Sequence, residues 1–414
     1  MSTFDASSLN VAIVHDWLVA AGGAERVLGR MLRLFPQARV FTLFGDASAI
    51  PIIPPGEHAT PAEVLQARPR LATSWLQGLP GIRRFYRYLA PVMPWATETL
   101  RIRNVDLVIS SSWAFAHGIK LPTNVPHLAY IHSPMRWAWD MRDDYLELSG
   151  LLKRPVLAGL ARWQIERLRQ WDCQAAMRPT RLVANSQFIQ ARIRSCWQRE
   201  ADCLYPPVSL PLSPSELKAV KPHGAFVTMS RLVPYKRVDA IVKAFTRLPQ
   251  YQLVVAGDGP ERARLQAMAP ANVSFTGWVS EHQAKEILSG SRGFIQASKE
   301  DFGITAVEAQ ACGVPVLAYG EGGAREIVLA EQADDSNARG TPDAPISEPT
   351  GQWFDDLSPE ALALAIERFS SQRFSVQACQ ANARRFSPEA FDRGLLRQVE
   401  LVLTGRPAPS FSSS

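Results

Sequence analysis

Cysteine is scarce in this chain: five residues, at 173, 196, 203, 312 and 379, an odd number with no C-x-x-C pair. That spacing offers neither a disulfide framework nor a thiolate metal cage, and it suits free thiols in a reducing compartment. The seven histidines include no H-x-x-x-H, so zinc-protease spacing is missing as well and no metal is expected. No apolar run is long enough to span a bilayer. Residues 1–10 are polar ahead of a short apolar run, so no secretory leader is expected. The strongest dinucleotide fingerprint, G-x-G-x-x-G, is absent too. What remains is a folded composition, 46% hydrophobic and 20% charged, in 414 residues, enough for two domains.

Charge is placed unevenly. The net charge is +6, and the segment 68–103 alone holds seven arginines (68, 70, 83, 84, 87, 101, 103) against one acid, Glu98. Trp75, Phe85, Tyr86, Tyr88 and Trp95 are interleaved with them. Arginine mixed with aromatics suits an anionic membrane face, and a solvated surface with inward-turned aromatics is the competing reading. No nucleic-acid-binding motif accompanies the patch, so no nucleic acid is expected.

Hydrophobic runs and helical periods alternate along the chain. Strands are expected at 10–17, 40–44, 105–110, 127–132 and 181–185, and helices at 24–35, 154–177 and 187–197, the last capped by Ser186. The arginine-rich stretch reads as helix broken by Pro80, Pro91 and Pro94. Pro206 and Pro207 open a loop-like stretch to 223, marking a boundary. Alternation then restarts, with strands at 225–230, 252–257, 273–276, 293–298 and 315–319. Helices fall between them at 238–245, 260–268, 280–288 and 305–312. A polar loop is expected at 333–350, then terminal helices at 359–369 and 388–403. The fold class is therefore α/β, two doubly wound parallel-sheet domains, with sites at strand carboxyl ends. The domains are 1–205 and 206–387, and a helix at about 388–404 is expected to pack back on the first.

Several groups sit at those strand ends. Gly22 and Gly23 precede the first helix, where bare backbone can approach phosphate. The pair is equally an ordinary turn. His132 ends the strand 127–132, and His15-Asp16 ends the first; that pair reads as acceptor-side or, with slight preference, as structural. Arg231 and Lys236 follow the first strand of the second domain, where two cations can neutralise a diphosphate. Residues 299–313 read K-E-D-F-G-I-T-A-V-E-A-Q-A-C-G. Glu300 would follow a strand, and Glu308 would lie in the first turn of the next helix. The N–H groups of Phe302, Gly303 and Ile304 would face a ligand between them. Thr305-x-x-Glu308 also reads as a capping box, with Glu308 merely satisfying the backbone.

Taken together, Gly22-Gly23, His132 in I-H-S-P-M-R, Arg231 with Lys236, and Glu-x7-Glu within E-D-F-G-I-T-A-V-E-A-Q-A-C-G-V-P-V resemble glycosyltransferase family 4, the retaining GT-B enzymes. The resemblance spans nearly the whole chain; Asp301 departs from the small residue common after the first Glu. H-D-W-L near the start is similar to bacterial transferases of O-antigen and exopolysaccharide assembly, many using GDP-mannose. The resemblance implies two Rossmann-like domains facing across a cleft and metal-independent transfer of a hexose to a lipid-linked saccharide. It implies catalytic roles for His132, Glu300, Lys236 and Arg231. Contacts to the nucleotide sugar would come from Gly22, Gly23, Arg231, Lys236, Phe302, Gly303, Ile304 and Glu308, with Glu308 on ribose. Segment 68–103 would hold the protein to the cytoplasmic face of the inner membrane. A GT-B nucleotide-sugar epimerase, a UDP-sugar-dependent transferase and a non-catalytic assembly partner are the alternatives.

Overall fold

The computed structural model describes residues 9–51, 69–140, 142, 155–208, 224–330, 340–341, 344–345 and 348–405. Arg68, the start of the 154–177 helix, the loop to residue 223 and most of the 333–350 loop fall outside them. The chain divides into two compact units, Met1–Pro207 with Phe391–Ser414, and Val208–Ala390.

The first unit is built on a seven-stranded sheet. Its strands are β1 (Val11–His15), β2 (Arg39–Thr42), β3 (Leu71–Thr73), β4 (Leu107–Ser112), β5 (His127–Ile131), β6 (Arg181–Ala184) and β7 (Asp202–Cys203). They lie in the order β3-β2-β1-β4-β5-β6-β7, and every pairing is parallel. β1 shows why its sequence is apolar throughout. Val11 and Ile13 pack on one face with Val27, Leu28 and Met31 of the helix Gly23–Leu34, while Ala12 and Val14 pack on the other with Val108. A parallel sheet covered on both faces has no solvent side to make polar. The helix Pro388–Thr404 adds Phe391, Leu395, Val399 and Val402 to the first of those faces, at the three-to-four-residue spacing of one helical stripe. Arg30 of the first helix pairs with Asp392 at 2.5 Å, fixing the two helices together.

The arginine-rich stretch differs from the broken helix expected. It begins with β3, which pairs with β2, and continues as the single turns Trp75–Gly78, Ile82–Phe85 and Tyr86–Leu89 before the helix Met93–Glu98. Leu76, Ile82 and Met93 are buried in one cluster, whereas Trp75, Tyr88 and Trp95 are exposed by 41%, 84% and 61%. The aromatics therefore divide between core and surface rather than all turning inward.

The second unit carries β8 (Phe226–Met229), β9 (Leu253–Ala256), β10 (Val273–Gly277), β11 (Gly293–Gln296) and β12 (Val316–Tyr319). After these come a small antiparallel hairpin, β13 (Gly340–Thr341) with β14 (Ala344–Pro345), and β15 (Gly351–Phe354). Its main sheet runs β10-β9-β8-β11-β12-β15, again all parallel. Phe226, Val255, Ile295 and Leu317 meet Ile241, Phe245, Leu362, Ile366 and Phe369 of the helices Val238–Phe245 and Pro359–Ser371. Both units are Rossmann-like. In each, the strand order reverses between two neighbours, β1 and β4 in the first and β8 and β11 in the second. The chain leaves those neighbours in opposite directions, which opens a crevice at their carboxyl ends.

Candidate active site

In the second unit the crevice at β8 and β11 holds an ion pair. After β8 the chain makes the single turn Pro234–Lys236, which turns Lys236 back toward the sheet. Four residues beyond β11, Glu300 forms a parallel bridge with Gly322, past the end of β12. Lys236 Nζ donates to Glu300 Oε1, and the Ser298 hydroxyl donates to the same oxygen at 2.5 Å. The two charged side chains are only 18% and 16% exposed, so the attraction is weakly screened. An ammonium has three donors, and Glu300 uses one of them. Arg231, on the same loop, is exposed, and no ion pair to it occurs among the described residues.

Backbone packing holds this loop in place. A Cβ on Gly257 would lie 1.9 Å from the Ser230 carbonyl oxygen, and one on Gly259 would lie 2.3 Å from that of Leu232. On the other side, a Cβ on Gly322 would meet the Glu300 carbonyl oxygen at 2.2 Å, and one on Gly323 the Phe302 carbonyl oxygen at 2.3 Å. Gly322 and Gly323 are thus required by close backbone approach. Gly323 N–H donates to the Glu300 carbonyl at 2.9 Å.

The helix after Glu300 corrects the capping-box reading. It runs Ile304–Ala311, and its N-cap is Gly303, left-handed at φ 109°, with no side-chain cap. Thr305 therefore lies inside the helix, where its hydroxyl cannot serve as the cap. Glu308 begins the second turn rather than lying in the first. It is half-buried on the helix that starts at the crevice, and Phe302 is buried beneath. No side chain caps the helix start, and Ala306 N–H donates to the Gly303 carbonyl at 3.0 Å.

The crevice of the first unit is lined by two histidines, a serine and a glutamate. His132 directly follows β5; its Nε2 lies 2.8 Å from Ser111 Oγ of β4, which lies 3.1 Å from Nδ1 of His15 at the end of β1. His15 Nε2 is 3.6 Å from Glu25 Oε1, in the first turn of the helix that Gly22 caps. Burial, then repulsion from His15, pushes His132 down to about 3, so it is a neutral imidazole at ordinary pH. Trp113 stands edge-on to the His15 ring at 4.8 Å. His15 and Asp16, read together in the sequence, part company here. The buried Asp16 carboxylate accepts from the backbone N–H groups of Trp113, Ala114, Phe115 and Ala116 at 2.6–3.0 Å, a structural clamp on the loop after β4.

Three consecutive serines of β4 each meet a histidine. Ser110 bonds His127 at 2.8 Å, Ser111 bonds His15 and His132, and Ser112 bonds His117 at 3.1 Å. His117 in turn lies 3.3 Å from Asp172, whose other oxygen accepts from the indoles of Trp139 and Trp197. That Ser–His–Asp arrangement is fully buried, which denies it any substrate. Sequence reading missed Ser298, Ser111 and Glu25. An acid in the first turn of a helix after Gly-Gly, and three serines closing an apolar strand, are the signals that could have found the last two.

His132, Gly22 and Gly23 thus belong to the first unit. Arg231, Lys236, Glu300, Phe302, Gly303, Ile304 and Glu308 belong to the second. Among the described residues no cluster of three His, Cys, Asp or Glu could hold a metal ion. None of the described helices is long and apolar enough to cross a membrane.

Known proteins give this geometry a context. Residues 214–386 match the sequence model of the family described as Glycosyl transferases group 1. A GDP-mannose-dependent monoacylated alpha-(1-6)-phosphatidylinositol monomannoside mannosyltransferase of Corynebacterium glutamicum is 35% identical over 114 residues, covering 24% of this chain and 30% of that protein. A GDP-mannose-dependent alpha-mannosyltransferase of Mycobacterium tuberculosis is 32% identical over 184 residues, 44% of this chain and 43% of the relative. The chain thus spans less than half the length of both curated relatives. The structure of Anabaena HepE with UDP and glucose shares the fold at TM-score 0.61 and 16% identity, over 95% of this chain and 99% of that one. Residues 214–386 thus match the model of the group 1 glycosyl transferases, an enzyme family, in a chain with the two Rossmann-like sheets of the GT-B fold.

Proposed function

We propose that the chain is a retaining glycosyltransferase of family 4 that moves a hexose from a nucleotide diphosphate sugar to a saccharide acceptor. The observation that carries this is the Lys236–Glu300 pair at the β8/β11 crevice, inside the segment that matches the group 1 family. The donor is GDP-mannose, by likeness to the mannosyltransferases above. Its diphosphate lies against Arg231 and Lys236, with Gly22 and Gly23 approaching a phosphate. Glu308 accepts from the ribose hydroxyls, and Glu300 and the N–H groups of Phe302, Gly303 and Ile304 meet the sugar. His132, neutral, is a sugar contact as well.

In the reaction the bond from the anomeric carbon to the phosphate oxygen breaks. A bond from the acceptor oxygen to that carbon forms on the same face. The departing phosphate takes the acceptor hydroxyl's proton and leaves with two negative charges beside two fixed cations. The demand is charge stabilisation, which preorganised cations meet without a metal. The acceptor is lipid-linked, in O-antigen or exopolysaccharide assembly. Segment 68–103, with Trp75, Tyr88 and Trp95 outward, rests on anionic lipid at the cytoplasmic face of the inner membrane.

Two assays test this reading. A melting-temperature panel of GDP, UDP and ADP should show the largest rise with GDP, since the nucleotide bound most tightly stabilises most; a larger rise with UDP reassigns the donor. Nucleotide release from the sugar donor should require acceptor. Conversion of the donor to another nucleotide sugar without acceptor and without net nucleotide release points to the epimerase instead, and no turnover with any donor and acceptor points to a binding partner.

A further inference from the structure

Glu25, His15, Ser111 and His132 form a continuous row across the β1/β4 crevice, and the row has a direction. His15 Nε2 is buried and has no hydrogen-bond partner; the nearest charged group is the Glu25 carboxylate, 3.6 Å away. A carboxylate facing a ring nitrogen favours the tautomer with the proton on that nitrogen. A lone pair there would face the negative oxygen, with nothing else to satisfy either. In a neutral His15 ring with its proton on Nε2, Nδ1 is an acceptor, and its partner at 3.1 Å is the Ser111 hydroxyl. Ser111 has one proton to donate, so its oxygen is then the acceptor in its other contact, 2.8 Å from His132 Nε2.

We propose that Glu25 is a positioning residue: acting through His15 and Ser111, it fixes the His132 proton on Nε2 and leaves Nδ1 as an acceptor for a hydroxyl of the donor sugar. The proposal rests on the reading that His132 meets that sugar. It gives a role to an acid that is buried in the first turn of its helix. An acid placed there only to complement the helix N-terminus has no need of a histidine partner. A Cβ on Gly22 would lie 2.9 Å from Glu25 Oε2, so a side chain there would push on that carboxylate.

The test reads the histidine tautomers by nitrogen-15 NMR of the full-length chain, with His132 assigned through its loss in His132→Gln. In the unaltered protein His132 should carry its proton on Nε2, with Nδ1 bare. Ser111→Ala and Glu25→Ala should each convert that signal to a mixture of tautomers, and Ser111→Thr, which keeps the hydroxyl, should restore it. Transfer should fall roughly tenfold in both alanine variants, the worth of one hydrogen bond, through kcat rather than nucleotide affinity. The two losses should not multiply in the double variant. A proton on Nδ1 in the unaltered protein overturns the proposal without any variant. So does an unchanged His132 signal in Ser111→Ala or Glu25→Ala. Because the tautomer is read without substrate, a failed relay and a failed transferase reading are told apart.

Discussion

The two units repeat one topology and furnish it with opposite chemistry. At the β1/β4 crevice the first unit places two imidazoles and a hydroxyl, joined by hydrogen bonds, with His132 held neutral. At the β8/β11 crevice the second places an ammonium and a carboxylate in direct contact, with Arg231 on the same loop. A parallel sheet dictates where a crevice opens but not what lines it. Fixed charge suits a diphosphate, whose own charge repays desolvation. Neutral donors and acceptors suit a sugar, whose hydroxyls would otherwise lose water to an unpaired ion.

The largest effect should come from the charged crevice. Lys236→Ala is expected to lower turnover by about a hundredfold or more, the scale of losing one preorganised stabiliser of developing charge, while the chain stays folded by circular dichroism. Turnover equal to the unaltered protein would erase the distinction between the crevices. Glu308→Ala should weaken nucleotide binding by about tenfold in calorimetry, the value of a hydrogen bond to ribose, with folding retained. The sealed network sharpens the contrast from the other side. Asp172→Ala removes the acceptor of Trp139, Trp197 and His117 and should cost about 3 kcal/mol in urea unfolding. Activity per folded molecule should be unchanged, since that Ser–His–Asp group meets no substrate.

Acid should act on the neutral side first. Burial, then His15, holds His132 at about 3, and burial, then His117, holds His127 at about 3, against the usual 6.5. The unfolded chain therefore binds these two protons before the folded one does. Stability is complete above about pH 6.5 and falls as pH drops toward 3, and His127→Gln should remove part of the fall in denaturant titrations. Below pH 4.5 Glu98 adds to the fall. Burial raises its carboxyl, but bonds from Lys120, Trp171 and Arg178 outweigh this and hold it at about 2, so its contribution is lost between 4.5 and about 2. The smallest effect concerns the surface. Replacing Arg83, Arg84 and Arg87 with Ala should weaken binding to anionic vesicles by about 1 kcal/mol per arginine at low salt, and no binding by the unaltered chain would remove the membrane claim.

Much of this architecture is legible in the sequence because its strands are covered on both faces, which turns each into an apolar run. Ser186 caps its helix through Ile189, and Ser280 with Gln283 forms a full capping box, as short-range spacing indicates. β3 was not legible: Leu71, Ala72 and Thr73 are half-buried among arginines, and only pairing with β2 makes them a strand. Thr305-x-x-Glu308 misled for a local reason, the left-handed Gly303, which starts the helix two residues before Thr305. Of the site, Lys236 and Glu300 were readable as charges at strand ends. The histidine row was not, because Ser111 is 96 residues from His15 and 21 from His132, and only the strand order makes them neighbours.

The most direct measurement is GDP release from GDP-mannose with and without a lipid-linked saccharide acceptor, run side by side for the unaltered chain and Lys236→Ala. Acceptor-dependent release that drops by about a hundredfold in the variant is the predicted result. Release that ignores the acceptor, or that survives loss of Lys236, would contradict a transferase built on that pair.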